Sequence, residues 1–96
     1  MRSLFEIKNV LSQFKPELET RYKVARIGIF GSYARNEQNE KSDIDIIVDF
    51  KEPIGLKFID LAEFLENTLK MKVDLVSGRA IKSNRWYHIR KELIYV

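Results

Sequence analysis

Two apolar runs decide the fold of this chain: VARIGIF at residues 24–30 and DIDIIVDF at residues 43–50. Short runs rich in β-branched residues are typical of buried strands. Gly31 and Ser32 directly follow the first run, and ten residues separate Ser32 from Asp43. The sequence therefore predicts two strands, with a small-residue turn ending the first and two carboxylates beginning the second.

The two acids at the start of the second run, Asp43 and Asp45, are two residues apart. Residues at this spacing in a strand point to the same face, with Cα atoms roughly 6.6 Å apart. Carboxylates this close can converge on one or two metal ions. On their own they are more typical of turn residues or solvent-facing acids, because short motifs often match by chance.

The pair Gly31-Ser32 lies where the first strand should end, and we predict a short helix from Ser32 to Arg35. Unpaired N–H groups at a helix N-terminus favour phosphate, and glycine allows a phosphate to approach the backbone closely. Arg35, one turn further, could reach the same ligand. The alternative is a turn glycine followed by an ordinary N-cap serine and a surface arginine.

The remaining pattern predicts alternating helices and strands. Ser3 and Glu6 match a capping box at the start of a helix that Pro16 should kink or end. The predicted elements are a helix at residues 4 to about 20, a helix at 56–70, a strand at 71–76 and a helix at about 83–93. This order predicts an α/β or α+β fold, in which helices back a small mixed sheet of three to four strands.

Composition limits the classes of protein to which the chain can belong. With 96 residues, it should form a single domain, residues 1–96. It has no cysteine, one histidine (His88) and no long uncharged apolar run, so we expect no disulfide, no zinc site and no membrane helix. Cytoplasmic location is the default, and the net charge of +3 is too small to indicate nucleic acid as a direct ligand.

The combined motif resembles the minimal nucleotidyltransferases of the DNA polymerase β-like superfamily. It consists of Gly31-Ser32-Tyr33-Ala34-Arg35 and Ser42 to Phe50, which contains Asp43-Ile44-Asp45. The family signature is Gly-Ser, a spacer, Asp-x-Asp and a third acid on a later strand, which here is Asp74 in KVDLV at residues 72–76. The resemblance covers nearly the whole chain. Asn36 departs from it, since family members usually have glycine there.

The resemblance implies both a reaction and the residues that perform it. Asp43 and Asp45 would bind two Mg²⁺ ions, and Asp74 would complete the metal site and help to activate an attacking hydroxyl. Gly31, Ser32 and Arg35 would bind the nucleotide. The acceptor oxygen would attack the α-phosphorus of ATP, and pyrophosphate would leave. We therefore expect a nucleotidyltransferase of the adenylyltransferase type.

The resemblance also implies a partner, because the chain has no room for a separate acceptor-binding domain. Similar proteins are antitoxins that transfer AMP to a tyrosine of a HEPN-domain RNase toxin, so we expect a HEPN partner and either a homo-oligomer or a hetero-oligomer with it. Two alternatives remain: an antitoxin that neutralises its partner by binding alone, and transfer to a small molecule or an RNA end. The segment 85–90 could form the partner surface or pack on the sheet of its own chain.

Overall fold

The computed structural model describes residues 2–96, which form four helices, four strands and one 3-10 turn. The helices are α1 (Leu4–Gln13), α2 (Lys15–Arg21), α3 (Lys57–Leu69) and α4 (Ser83–Glu92). The strands are β1 (Val24–Phe30), β2 (Ile44–Phe50), β3 (Val73–Ser77) and β4 (Ile94–Tyr95), and the 3-10 turn is Gly78–Ala80. None of the helices in this part of the chain is both long and apolar enough to cross a membrane.

The four strands form one mixed sheet in the order β3-β2-β1-β4. β1 pairs antiparallel with β2 and with β4, whereas β2 and β3 run parallel and are connected through α3. A parallel pair needs such a crossover connection, which explains the helix between the two strands. The predicted fold class, a small mixed sheet of three to four strands backed by helices, is confirmed.

The N-terminal helical region breaks earlier than its proline suggests. The capping box is present, with the Ser3 hydroxyl accepting a hydrogen bond from the Glu6 N–H at 3.1 Å. The break lies at Phe14, and Pro16 occupies the first turn of α2. Proline is tolerated there because a first-turn N–H has no intrahelical acceptor. The predicted interruption is therefore confirmed, two residues before Pro16.

The two faces of the sheet are covered unequally. α1, α2 and α3 cover one face, where a continuous core contains the alternate β2 residues Ile44, Ile46 and Val48. The opposite face has a smaller cluster of Phe30, Ile47 and Ile89, the last contributed by α4. Within Ser83–Glu92, Ile89 alone is buried. The carboxylates of β2 belong to this second face, which α4 leaves partly open to solvent.

Candidate active site

Two of the three acids singled out in the sequence, Asp45 and Asp74, meet at one end of the sheet. Asp45 lies in β2 directly beside Asp74 in β3, in the register of the parallel ladder. Asp43 immediately precedes β2, which begins one residue later than predicted. Asp45 is half-buried, whereas Asp43 and Asp74 are exposed. The strands thus bring Asp45 and Asp74 together, while Asp43 lies one residue outside β2.

The environment of Asp45 disfavours its ionised form. Burial, the negative charge of Asp74 and hydrogen bonding with Asp74 raise the pKa of Asp45 from 3.8 to about 6, while the positive charge of Arg85 opposes this rise. Two carboxylates that share one small site repel each other unless a proton or a cation lies between them. Near neutral pH, Asp45 and Asp74 therefore form a site that favours a cation.

Gly31 forms the wall of this site on the β1 side. Its φ of +75° lies in the left-handed region, and a Cβ at this position would overlap the Asp45 Oδ2 oxygen. Glycine is therefore required twice, by the backbone conformation and by the close approach of the carboxylate. This contact connects the small-residue turn directly to the acid pair.

The segment that follows Gly31 corrects one prediction, because residues 32–36 form successive turns and no helix. The Arg35 N–H reaches the Gly31 carbonyl at 3.1 Å and the Glu37 N–H reaches the Ser32 carbonyl at 2.8 Å, so the run closes within one turn. Asn36, at φ +57°, ends it in the left-handed conformation that asparagine tolerates. Phosphate binding at the half-buried Ser32 would thus depend on turn amides and not on a helix terminus.

Arg35 contacts the C-terminal end of α4. Its guanidinium donates a hydrogen bond to Glu92 in the last turn of α4 and forms a second, longer ion pair with Glu37 at 3.4 Å. The hydrogen bond and charge of Glu92 raise the pKa of Arg35 further. The structure therefore places Arg35 as a connection between the turn and α4.

Arg85 is a site neighbour that the sequence patterns did not reveal. It lies in the first turn of α4, its guanidinium is 6.0 Å from the centre of the Phe30 ring, and its charge lowers the pKa of Asp45. No local spacing connects Arg85 with residues 43–45, because the two segments meet only through the packing of α4. For this segment, residues 85–90, the sequence predicts either a partner surface or packing on the sheet.

Asp49 shares its strand face with Asp45 but serves a different purpose. Its carboxylate accepts hydrogen bonds from the Arg26 guanidinium, at 2.9 Å from Nη2 and 3.2 Å from Nε. This pair connects β2 with β1 at the end of the sheet away from the acids. Asp49 therefore has a structural role in this sheet.

The residues present fit a divalent cation in part. Carboxylate oxygens are preferred ligands of Mg²⁺, and the Asp45–Asp74 pair carries the charge that would attract one. Among residues 2–96, however, no group of three or more acidic, histidine or cysteine side chains is close enough to hold a metal ion. Asp45 and Asp74 are neighbours, but Asp43 does not complete a three-ligand group with them.

A cavity of about 610 Å³ adjoins Asp43. Tyr33 and Asp43 line it together with Lys41, Lys70 and Lys72, so its wall carries an excess of positive charge. The Tyr33 side chain is buried, and both burial and the negative charge of Asp43 raise its pKa. This volume lies within the ordinary range for small-molecule sites, and the charge suits an anionic ligand.

Comparison with known proteins shows that this chain is similar to nucleotidyltransferases. The nucleotidyltransferase domain family matches residues 11–96. A protein adenylyltransferase of Thermococcus cleftensis is 47% identical over 97 residues, covering 100% of this chain and 98% of the relative. A solved structure described as a candidate minimal nucleotidyltransferase superposes with a TM-score of 0.76 at 33% identity, over 97% of this chain and 95% of the other. A toxin–antitoxin structure with AMP-PNP gives a TM-score of 0.71 at 26% identity, over 98% and 72%.

Proposed function

The chain belongs to the nucleotidyltransferase domain family, and on this premise we propose that it is a Mg²⁺-dependent antitoxin that transfers AMP from ATP to a tyrosine of a HEPN toxin in the cytoplasm. The observation that carries the proposal is the Asp45–Asp74 pair held against Gly31. The similar adenylyltransferase and the toxin–antitoxin structure with AMP-PNP support the choice of nucleotide and the biological class.

The proposed roles of the residues follow from their positions. Asp45 and Asp74, joined by Asp43, would hold Mg²⁺, which when bound would neutralise charge on the triphosphate. Gly31 and Ser32 offer backbone amides and a hydroxyl to the phosphates from the adjacent turn. The cavity beside Asp43 is large and basic enough to take part of the nucleotide.

The chemistry requires an acceptor hydroxyl that loses its proton as it attacks. Asp74 would help to withdraw this proton, because it is exposed beside the place where a hydroxyl from another protein can arrive. The new bond joins the acceptor oxygen to the α-phosphorus, and the bond from that phosphorus to the pyrophosphate oxygen breaks. The main contribution of the protein is orientation, which can supply a large share of the barrier reduction.

The deciding experiment incubates the protein with Mg-ATP and its HEPN partner and measures the mass of both by mass spectrometry. The wild type should add one or more AMP units to a partner tyrosine. The double variant Asp43→Asn, Asp45→Asn should not, whereas Asp60→Asn, an exposed acid of α3, should retain full transfer. Full transfer by the double variant would refute the assigned site.

The same variants separate the alternatives. If the double variant still neutralises the toxin and the wild type adds no AMP, then the protein acts by binding alone. If AMP appears only on an added small molecule or RNA, then the acceptor class is different. Circular dichroism of each variant should match that of the wild type, so that lost transfer is not caused by unfolding.

A further inference from the structure

The strand β3 forms one edge of the sheet and has an open outer side. The Ile44 N–H donates to the Lys72 carbonyl at 3.1 Å, so Lys72 and every second residue after it direct their backbone groups toward β2. The intervening residues Val73, Leu75 and Ser77 direct theirs outward. The Val73 N–H is occupied by the Glu66 carboxylate at 3.1 Å. The outward amides beyond it are those of Leu75 and Ser77.

An apolar groove of about 400 Å³ follows this edge. Leu75 and Val76 both line it, although neighbouring strand residues point to opposite faces of the sheet. The groove therefore wraps around the edge of the sheet. Phe58 of α3 closes one side, and Ala80 and Ile81 close the other. The volume is sufficient for one or two apolar side chains of a bound segment.

The groove continues into the candidate active site through Arg85. This residue lines the groove, and its charge also acts on Asp45. Asp74, the neighbour of Asp45, is a residue of β3 itself and immediately precedes Leu75. A polypeptide bound along this edge at Leu75 would therefore lie one residue along β3 from Asp74, the neighbour of Asp45.

The charges around the groove select the sign of a ligand. Arg85 is one of its walls, and Arg79 and Lys82 flank Ala80 and Ile81 in the sequence. None of the side chains that line the groove carries a carboxylate. Beside the groove, an acidic side chain is therefore favoured over a basic one, whereas Asp74 and the Glu66 carboxylate at Val73 favour uncharged residues next to them.

We propose that the outer edge of β3 binds an extended, acidic segment of the acceptor protein as an additional strand, with an apolar side chain in the groove and the acceptor tyrosine beside Asp74. This inference rests on the proposed function for the identity of the acceptor. Strand addition suits the task because backbone hydrogen bonds provide affinity and the groove provides selectivity. The acceptor site is then built from the same strand that carries the third acid.

The first test uses the full chain without ATP and a fluorescent ten-residue peptide, in which leucine and glutamate alternate around one tyrosine. Fluorescence anisotropy should detect binding, and hydrogen exchange should slow at the Leu75 and Ser77 amides. Methylating alternate peptide amides, or replacing glutamate with lysine, should weaken binding at least tenfold. Absence of binding, or binding that is insensitive to amide methylation, would overturn the proposal.

The second test changes the groove itself. Ala80 is exposed and lines the groove, so Ala80→Glu should weaken binding of the acidic peptide at least tenfold, and Ala80→Lys should leave it equal or stronger. Ala25→Glu is the matched control, because Ala25 is an exposed alanine of β1, which β2 separates from β3. Equal affinities of the Ala80→Glu variant and the control would refute the edge as the binding site.

Two further measurements would reveal whether the β3 edge binds something other than an acidic polypeptide. Analytical ultracentrifugation that shows a wild-type dimer dissociated by Ala80→Glu would assign the edge to a second copy of this chain. Binding of oligouridylate that Ala80→Glu abolishes would assign it to RNA, and both results would overturn the proposal. Stabilisation by Mg-ATP should be unchanged in all Ala80 variants. If Mg-ATP binds none of these proteins while the peptide still binds, the proposed catalysis fails and the docking surface stands.

Discussion

Replacing Asp45 with asparagine should stabilise the metal-free protein at neutral pH, although Asp45 is a proposed metal ligand. Burial and Asp74 raise the pKa of Asp45 from 3.8 to about 6 in the folded state. The folded protein therefore holds this proton more tightly than the unfolded chain. Stability contributed by this group is present at low pH and is lost as the pH rises from about 4 to above 6.

The size of the effect follows from the same shift. At ~1.36 kcal/mol per pKa unit, the rise corresponds to a ceiling of about 3 kcal/mol. Because Asp45 is only half-buried, solvent screening reduces this to about 1–2 kcal/mol. In a domain of this size, that gain corresponds to roughly 4–16 °C in melting temperature.

The assay compares thermal unfolding of the wild type and Asp45→Asn in a chelating buffer at pH 4 and pH 7.5. The variant should be more stable at pH 7.5, and the difference should nearly vanish at pH 4, where Asp45 is protonated. Asp60→Asn should show no such dependence, since Asp60 is exposed on α3. Added Mg²⁺ should stabilise the wild type more than the Asp45 variant. A variant that is less stable than the wild type at pH 7.5, or an advantage independent of pH, would refute the electrostatic account.

Three further changes test other parts of the structure. Gly31→Ala should abolish transfer while circular dichroism stays close to that of the wild type, because a Cβ would displace the Asp45 carboxylate; full transfer would contradict this. Arg35→Ala should speed amide exchange in the last turn of α4 by breaking the contact with Glu92, with little change in melting; unchanged exchange would show that α4 is held in another way. Ser3→Ala should cost about 1 kcal/mol in urea unfolding through the lost cap, and a loss near zero would mean that the capping box contributes little.

The β2 strand illustrates what the sequence could predict. Its period of two predicts that Ile44, Ile46 and Val48 share one face, and all three lie in the same core. Alternation is reliable here because one face is buried, so a shift of one residue would bury the acids. The capping box of α1 was predictable because its hydrogen bonds join Ser3 and Glu6, which are only three residues apart.

The features that the sequence did not reveal depend on contacts between distant segments. β4 has only two residues, and it exists because it pairs with Gly28 and Ile29 of β1. The expected helix after Gly31 is replaced by turns, since Asn36 ends the run too soon for a helix to propagate. Arg85 joins the site only because α4 packs over Phe30.

The contact between Gly31 and Asp45 has a consequence for how such sequences can diverge. While the carboxylate is present, a side chain at position 31 meets two obstacles, the overlap with Asp45 and the left-handed backbone. Once Asp45 is lost, one obstacle disappears and only the backbone requirement remains. The two positions are therefore epistatic: the order of substitution matters, and loss of the acid opens position 31 to asparagine before other residues.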